Sequence, residues 1–287
     1  MERQNGHPSR RRLLLSLAAA FVAGCTAPPP AALMRAESTA TGQPVAFDAP
    51  GLAIRGRYHP PSRARSARRL WVVIEGDGAL WRNGQPPRDP TPRKPIGPTV
   101  IPVLPADDAR LWLARPCQYL TPSAHETCDS RYWTTDRFAA PVLAAYNTLI
   151  DLYASGRQIV LIGFSGGGVL AADLALARAD TAGLITLAAP LDLAAWTAHH
   201  GVPPLSATVP SGKRLHDLAN LDAPALYLFG ARDTVVPPAM LSRTRRLLPG
   251  DAVKIVPGAR HSDNWAQILR PHLAGVVPPT PATRQHD

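Results

Sequence analysis

A chain of 287 residues, 45% of them hydrophobic, is long enough to bury one large core, and its one long apolar run lies at the amino terminus, so the remainder is expected to be soluble apart from any anchor there. The formal net charge is +10, carried by 31 basic residues of which 28 are arginine, and these are scattered rather than blocked. Nothing resembles an aromatic-interleaved nucleic-acid surface, so nucleic acid is not an expected partner; the excess charge reflects either a general arginine preference or attraction to anionic lipid headgroups.

The first 24 residues stand apart from the fold. Arg10-Arg11-Arg12 is followed by Leu13 to Ala23, 11 residues in which Ser16 is the one polar member, and then by Gly24-Cys25. That run is too short to span a bilayer as a folded segment, so 1–24 reads as a signal peptide. Its four arginines and one glutamate leave a charge of +7 on the remainder. Val22-Ala23-Gly24-Cys25 resembles the lipobox of bacterial lipoproteins, which implies an acylated Cys25 as the new amino terminus and a lipid-anchored protein of the bacterial cell envelope, periplasm-facing or in the outer membrane. The alternative is an ordinary secretory signal with an incidental cysteine. Ser9 to Leu14 also resembles a twin-arginine export signal, and a polybasic leader explains it as well. A tether is expected over 25–50, the folded domain over 51–273 and a loose Pro-rich tail over 274–287.

Strands and helices alternate from about residue 52. Leu52 to Tyr58 and Arg69 to Glu75 read as strands, the second ending in Glu75-Gly76-Asp77-Gly78. Residues 80–108 hold eight prolines and are expected to be irregular, with one short helical turn. Ala109 to Ala114 is the next strand. Thr134-Thr135-Asp136 is a candidate cap for a helix running to about Ser155, with Phe138, Val142, Ala145, Leu149 and Leu152 on one face. A strand over 158–163, a helix over 166–179, and the strand Leu184 to Ala188 follow, then a helix over Leu193 to His200. Ala225 to Phe229 and Val253 to Val256 are the last strands, with helices near 237–248 and 262–272. This alternation implies an α/β architecture, a mainly parallel sheet covered by helices on both faces. Ligands in such sheets bind above the strand carboxyl ends.

The run Val160-Leu161-Ile162-Gly163-Phe164-Ser165-Gly166-Gly167-Gly168 feeds a β-branched strand through G-x-S-x-G into a helix, the order of a nucleophile elbow. A Gly-rich phosphate turn is the competing reading, but no lysine follows and the glycine spacing does not suit a dinucleotide. A serine hydroxyl needs a base to take its proton, and that base needs an orienting carboxylate. Asp233 lies three residues past Gly230 at a strand end, and His261 follows the last strand, giving the chain order Ser, Asp, His. Asp233 also suits a turn, His261 the start of a helix, and Asp192, one strand earlier, is the rival acid. The oxyanion of acyl transfer needs backbone donors, for which Gly166 and the loop at Asp77, with Gly78 second, are the candidates.

These segments together resemble the α/β-hydrolase superfamily over roughly residues 52–272. The resemblance implies a Ser-Asp-His hydrolase that works through an acyl-enzyme on a small-molecule or lipid-like acyl substrate and needs no cofactor. An esterase is the default, with an envelope amidase or peptidase and a non-catalytic surface scaffold as the rivals. Arg115-Pro-Cys117-Gln-Tyr119, with Cys128 and Tyr132-Trp133-Thr134, is similar to exported proteobacterial hydrolases of undefined substrate. Two departures from the superfamily stand out: Glu75 replaces a common histidine, and the prolines of 80–108 spoil the expected helix. In an oxidising envelope Cys117 and Cys128 are free to pair, and such a bridge contributes about 3 kcal/mol, two free thiols being the alternative. No metal site is expected, since His125 is the one nearby ligand. Residues 80–108, 117–128 and 190–215 are expected to roof the pocket.

Overall fold

A computed structural model describes residues 42–63, 67–206 and 208–276, so the segment read as a signal peptide, Cys25 and the residues beyond 276 lie outside the described residues. Eight strands among them form one sheet: β1 (Gln43–Ala49), β2 (Leu52–His59), β3 (Arg69–Ile74), β4 (Ala109–Leu113), β5 (Gln158–Phe164), β6 (Thr181–Leu187), β7 (Ala225–Gly230) and β8 (Val253–Val256). Their spatial order is β1-β2-β4-β3-β5-β6-β7-β8. β1 and β2 pair antiparallel, as do β2 and β4, and every other neighbouring pair is parallel.

The central strands are apolar runs because both faces are covered. In β5, Ile159 and Leu161 face a cluster that includes Val142, Tyr146 and Leu149 of the helix Ala140–Ala154 and Leu170 and Leu174 of the helix Gly166–Ala177. Val160 and Ile162 point the other way, into a cluster with Val100, Ile101, Trp265 and Leu269. A bidentate ion pair ties the elbow helix to the helix Ser211–Ala219: Arg214 Nε and Nη2 donate to Asp173 at 2.6 and 2.9 Å with both side chains buried. No helix among the described residues is long and apolar enough to cross a membrane.

Several boundaries differ from the sequence reading. β1 occupies 43–49 of the segment read as tether, so the sheet begins before residue 51; Val45 is its one buried residue, and backbone pairing with β2, not hydrophobic pattern, defines it. The helix expected from Thr134 starts at Ala140, because Thr134 bonds back to the Ser130 carbonyl and its own carbonyl accepts from Arg137. Leu152, assigned to the buried face, is 69% exposed, and Tyr146 and Ile150 take the inner positions instead. Ser211–Ala219 is a helix that the sequence reading did not separate from the 190–215 stretch. The last helix is split by Pro271, which lacks the N–H for a continuous ladder, into Trp265–Leu269, a 3-10 turn and Leu273–Val276, so helix extends past 273 into the segment read as tail.

Candidate active site

Ser165 stands between the last residue of β5 and the first of the elbow helix with φ 52° and ψ −125°, a strained conformation for a non-glycine residue that costs of order 1–3 kcal/mol. The surroundings enforce it. The Ser165 amide donates to the Leu187 carbonyl at 2.8 Å, and a β-carbon at Gly163 or Gly167 would lie 2.2 Å from the backbone oxygen of Gly167 or Glu75 respectively. The helix start is thus pressed onto the ends of β5 and β3, and the hydroxyl turns outward.

Asp233 and His261 arrive from the ends of β7 and β8. The two loops are laced together by Ala231 N–H to the Val256 carbonyl at 3.0 Å and Arg232 N–H to the Ala259 carbonyl at 2.8 Å. His261 Nδ1 donates to Asp233 Oδ2 at 2.8 Å, and the Ser165 hydroxyl donates to His261 Nε2 at 3.1 Å. The Asp233 side chain is fully buried, and its Oδ1 accepts the Val235 and Val236 amides at 2.8 Å each. Burial alone raises its pKa, but His261 and those two amides together hold the carboxyl below the usual carboxylate range. It is therefore an anion near neutrality. The imidazole, 18% exposed, rests against the Phe164 ring with centroids 4.9 Å apart, while Trp265 Nε1 donates to its backbone carbonyl at 2.8 Å. The structure thus joins Ser165, His261 and Asp233 in one relay. The rival Asp192 is elsewhere: Oδ1 caps the helix Leu193–His200 by accepting the Ala195 amide, and Oδ2 lies 3.5 Å from Arg243.

Gly166 opens the helix, where backbone N–H groups have no intrahelical acceptor. In the β3 loop the Gly76 amide is taken by Glu75 Oε1 at 3.0 Å, whereas the Asp77 amide has no acceptor among the described residues. Gly78 adopts φ +68° against the Pro90 carbonyl. Sequence reading missed what the Asp77 side chain does. Its carboxylate reaches Arg115 Nε and Arg137 Nε, each at 3.1 Å, and lies so close over Gly166 that a β-carbon there would sit 2.2 Å from both oxygens. Gln118 ties the same loop down, donating to the Gly76 carbonyl at 3.0 Å and accepting the Arg115 amide at 3.1 Å. The Arg115-Pro-Cys117-Gln motif was the available signal. Glu75 staples the loop from below: its carboxylate also accepts the amides of Ile96 at 2.9 Å and Gly97 at 3.3 Å.

Cys117 and Cys128 form a disulfide with a Cα–Cα distance of 6.2 Å. A cavity of about 360 Å³ is lined by Leu80 and Trp81, by Thr134, Thr135 and Arg137, and by Trp196 with residues 202–205, and Arg137 connects it to Asp77. The 80–108 and 190–215 segments supply parts of its wall, though none of Ser165, His261 and Asp233 lines it. The cystine loop does not: it packs around Ala53 and Trp133 instead, with the Cys117 amide bonded to the Ala53 carbonyl.

Solved structures place this architecture. The chain is similar to an α/β serine hydrolase homologue from Coxiella burnetii (TM-score 0.52, 16% identity, covering 82% of this chain and 98% of that one). It is also similar to an α/β serine hydrolase without lid from Xanthomonas campestris (TM-score 0.53, 14% identity, 84% and 98% covered). An esterase domain from Rhodothermus marinus gives a TM-score of 0.53 at 14% identity, with 82% and 96% covered. The fold is the α/β-hydrolase fold. No protein-family model and no curated protein matches the chain.

Proposed function

We propose that this protein is a serine hydrolase that cleaves carboxylic esters. The observation that carries the reading is the unbroken hydrogen-bond chain from Asp233 through His261 to Ser165 at the carboxyl edge of the sheet. In the reaction, Ser165 attacks the acyl carbonyl as His261 Nε2 takes its proton, and the buried Asp233 anion stabilises the imidazolium. The amides of Gly166 and Asp77, with Gly78 beside them, receive the oxyanion; each such donor is worth about 3 kcal/mol of barrier. The imidazolium returns the proton to the leaving alcohol, and water then releases the acid from Ser165 by the same steps in reverse. All of these groups belong to the chain itself.

Labelling by a fluorophosphonate, with Ser165→Ala as the control, tests the nucleophile: stoichiometric labelling of the wild type alone is expected, and an unlabelled wild type favours a non-catalytic scaffold. A panel of p-nitrophenyl esters run beside peptide amides tests the bond class, with faster amide cleavage pointing to an amidase or peptidase. The amino-terminal sequence supports a lipid anchor on Cys25 in a bacterial envelope. Metabolic palmitate labelling of wild type and Cys25→Ser decides it, since equal incorporation defeats the anchor.

A further inference from the structure

Beside the relay is a charge cluster that the relay does not use. Arg115 and Arg137 share the single carboxylate of Asp77, two cations against one anion, and their side chains are 2% and 3% exposed. A guanidinium cannot shed its proton to relieve this, so the charge must be matched by hydrogen bonds or by a ligand. Arg115 Nη2 donates to the Arg137 carbonyl at 2.8 Å, and Arg137 Nη1 donates to the Thr134 carbonyl at 2.7 Å. Arg137 Nε lies 3.1 Å from Asp77 Oδ2, and both Arg137 Nε and Arg115 Nη1 are buried without a hydrogen-bond partner among the described residues. Burial pushes the Arg137 pKa down, Asp77 opposes that and Arg115 reinforces it, as expected of an under-compensated cation.

Among the described residues, Arg137 is also the one charged residue in the wall of the cavity. Around it are the ring faces and aliphatic groups of Trp81, Trp196, Leu80 and Leu205, and its guanidinium carbon stands 5.7 Å from the Trp196 ring centroid. The cavity is therefore greasy with one fixed positive point. That point is linked through Asp77 to Gly166, the residue next to the nucleophile.

We infer that the cavity is a subsite for an amphiphilic anion: an apolar chain lies against Trp81 and Trp196, and a carboxylate- or phosphate-type anion, a few bonds from the scissile carbonyl, accepts from the Arg137 guanidinium. This rests on the ester-hydrolase reading for its reaction, but the recognition itself is independent of turnover. A planar guanidinium matches a carboxylate or phosphate oxygen in a dry setting, where a charge-assisted bond is stronger than a neutral one. Neutral esters of the same length leave the cation unmatched.

The test is binding to the full-length Ser165→Ala protein, which keeps ester ligands intact, read by tryptophan fluorescence. Monomethyl glutarate, adipate and suberate are titrated beside their dimethyl esters, and decyl phosphate beside decanol, so that the two arms separate a carboxylate from a phosphate head. At one spacing or head type the anion is expected to bind at least about tenfold more tightly than its neutral partner, an effect that Arg137→Gln abolishes. Arg137→Lys, which keeps a cation but loses the fork, retains part of it. Equal affinities across both arms overturn the inference without any variant, and so does a preference that survives Arg137→Gln. Fluorophosphonate labelling of the wild type separates the two readings: labelled protein without anion preference sinks the subsite alone, and unlabelled protein with the preference intact sinks the hydrolase reading alone.

Discussion

Gly166→Ala probes the contact on which the geometry beside Ser165 depends. The added methyl lies 2.2 Å from both Asp77 oxygens, where real β-carbons essentially never come under 3.0 Å. The carboxylate cannot swing aside freely, since Arg115 and Arg137 hold it at 3.1 Å on each side. If the helix start yields instead, the overpacking costs about 1–3 kcal/mol. If Asp77 is driven off its arginines, the broken buried pair costs about 3–5 kcal/mol. Asp77→Ala on its own leaves two buried cations and is destabilising by a similar amount, but it also clears the space. Gly166→Ala added to that background should cost no more than about 0.5 kcal/mol, giving a coupling of at least about 0.5 kcal/mol between the two sites. Urea denaturation of the four proteins measures it, with Gly250→Ala as the control, since a β-carbon there meets nothing within 4 Å. Equal costs of Gly166→Ala in both backgrounds would refute the argument, as would an unchanged wild-type stability.

Asp233→Asn keeps the size of the acid and removes its charge, and kcat on a p-nitrophenyl ester should fall about 10⁴-fold with the fold intact. A loss below tenfold would mean that another carboxylate orients His261. Burial pushes Glu75 up to about 7 against the amides of Gly76, Gly97 and Ile96, which lower it. An unfolded glutamate titrates near 4.3 (about 4.3 in model peptides), so the folded chain keeps a proton that the unfolded chain has released, and stability should fall as pH rises from about 4.3 towards the raised value. Glu75→Gln should flatten that slope, and parallel pH profiles for the two proteins would contradict the assignment. Arg214→Ala strands Asp173 inside the fold and should cost about 3–5 kcal/mol in thermal or urea unfolding; a cost below 1 kcal/mol would show that the pair is not sealed from water. Gly212 lies in the helix Ser211–Ala219 with open space where a β-carbon would go, so Gly212→Ala should stabilise by about 0.4–1 kcal/mol in the same assay.

The parts of this protein that its sequence determined are those governed by local rules. An unbroken apolar run at 159–162 announces a strand covered on both faces, the glycines around Ser165 announce a turn no other residue permits, and Asp233 and His261 each follow a strand end closely. Strand-helix alternation then sets the sheet and brings those ends to one rim. Tertiary structure decided the rest, because the deciding partner is remote. β1 exists through its ladder with β2, and the start of the helix at Ala140 is set by what Thr134 and Arg137 bond to. Leu152 and Ile150 are both apolar, and only the docking of their helix on the sheet chose which to bury. Asp77 is the clearest case: from the sequence it is a loop residue offering an amide. Its carboxylate found two arginines from other segments and the bare backbone of Gly166 in the elbow, and no periodicity or spacing encodes a buried charge whose counter-ions come from elsewhere in the chain.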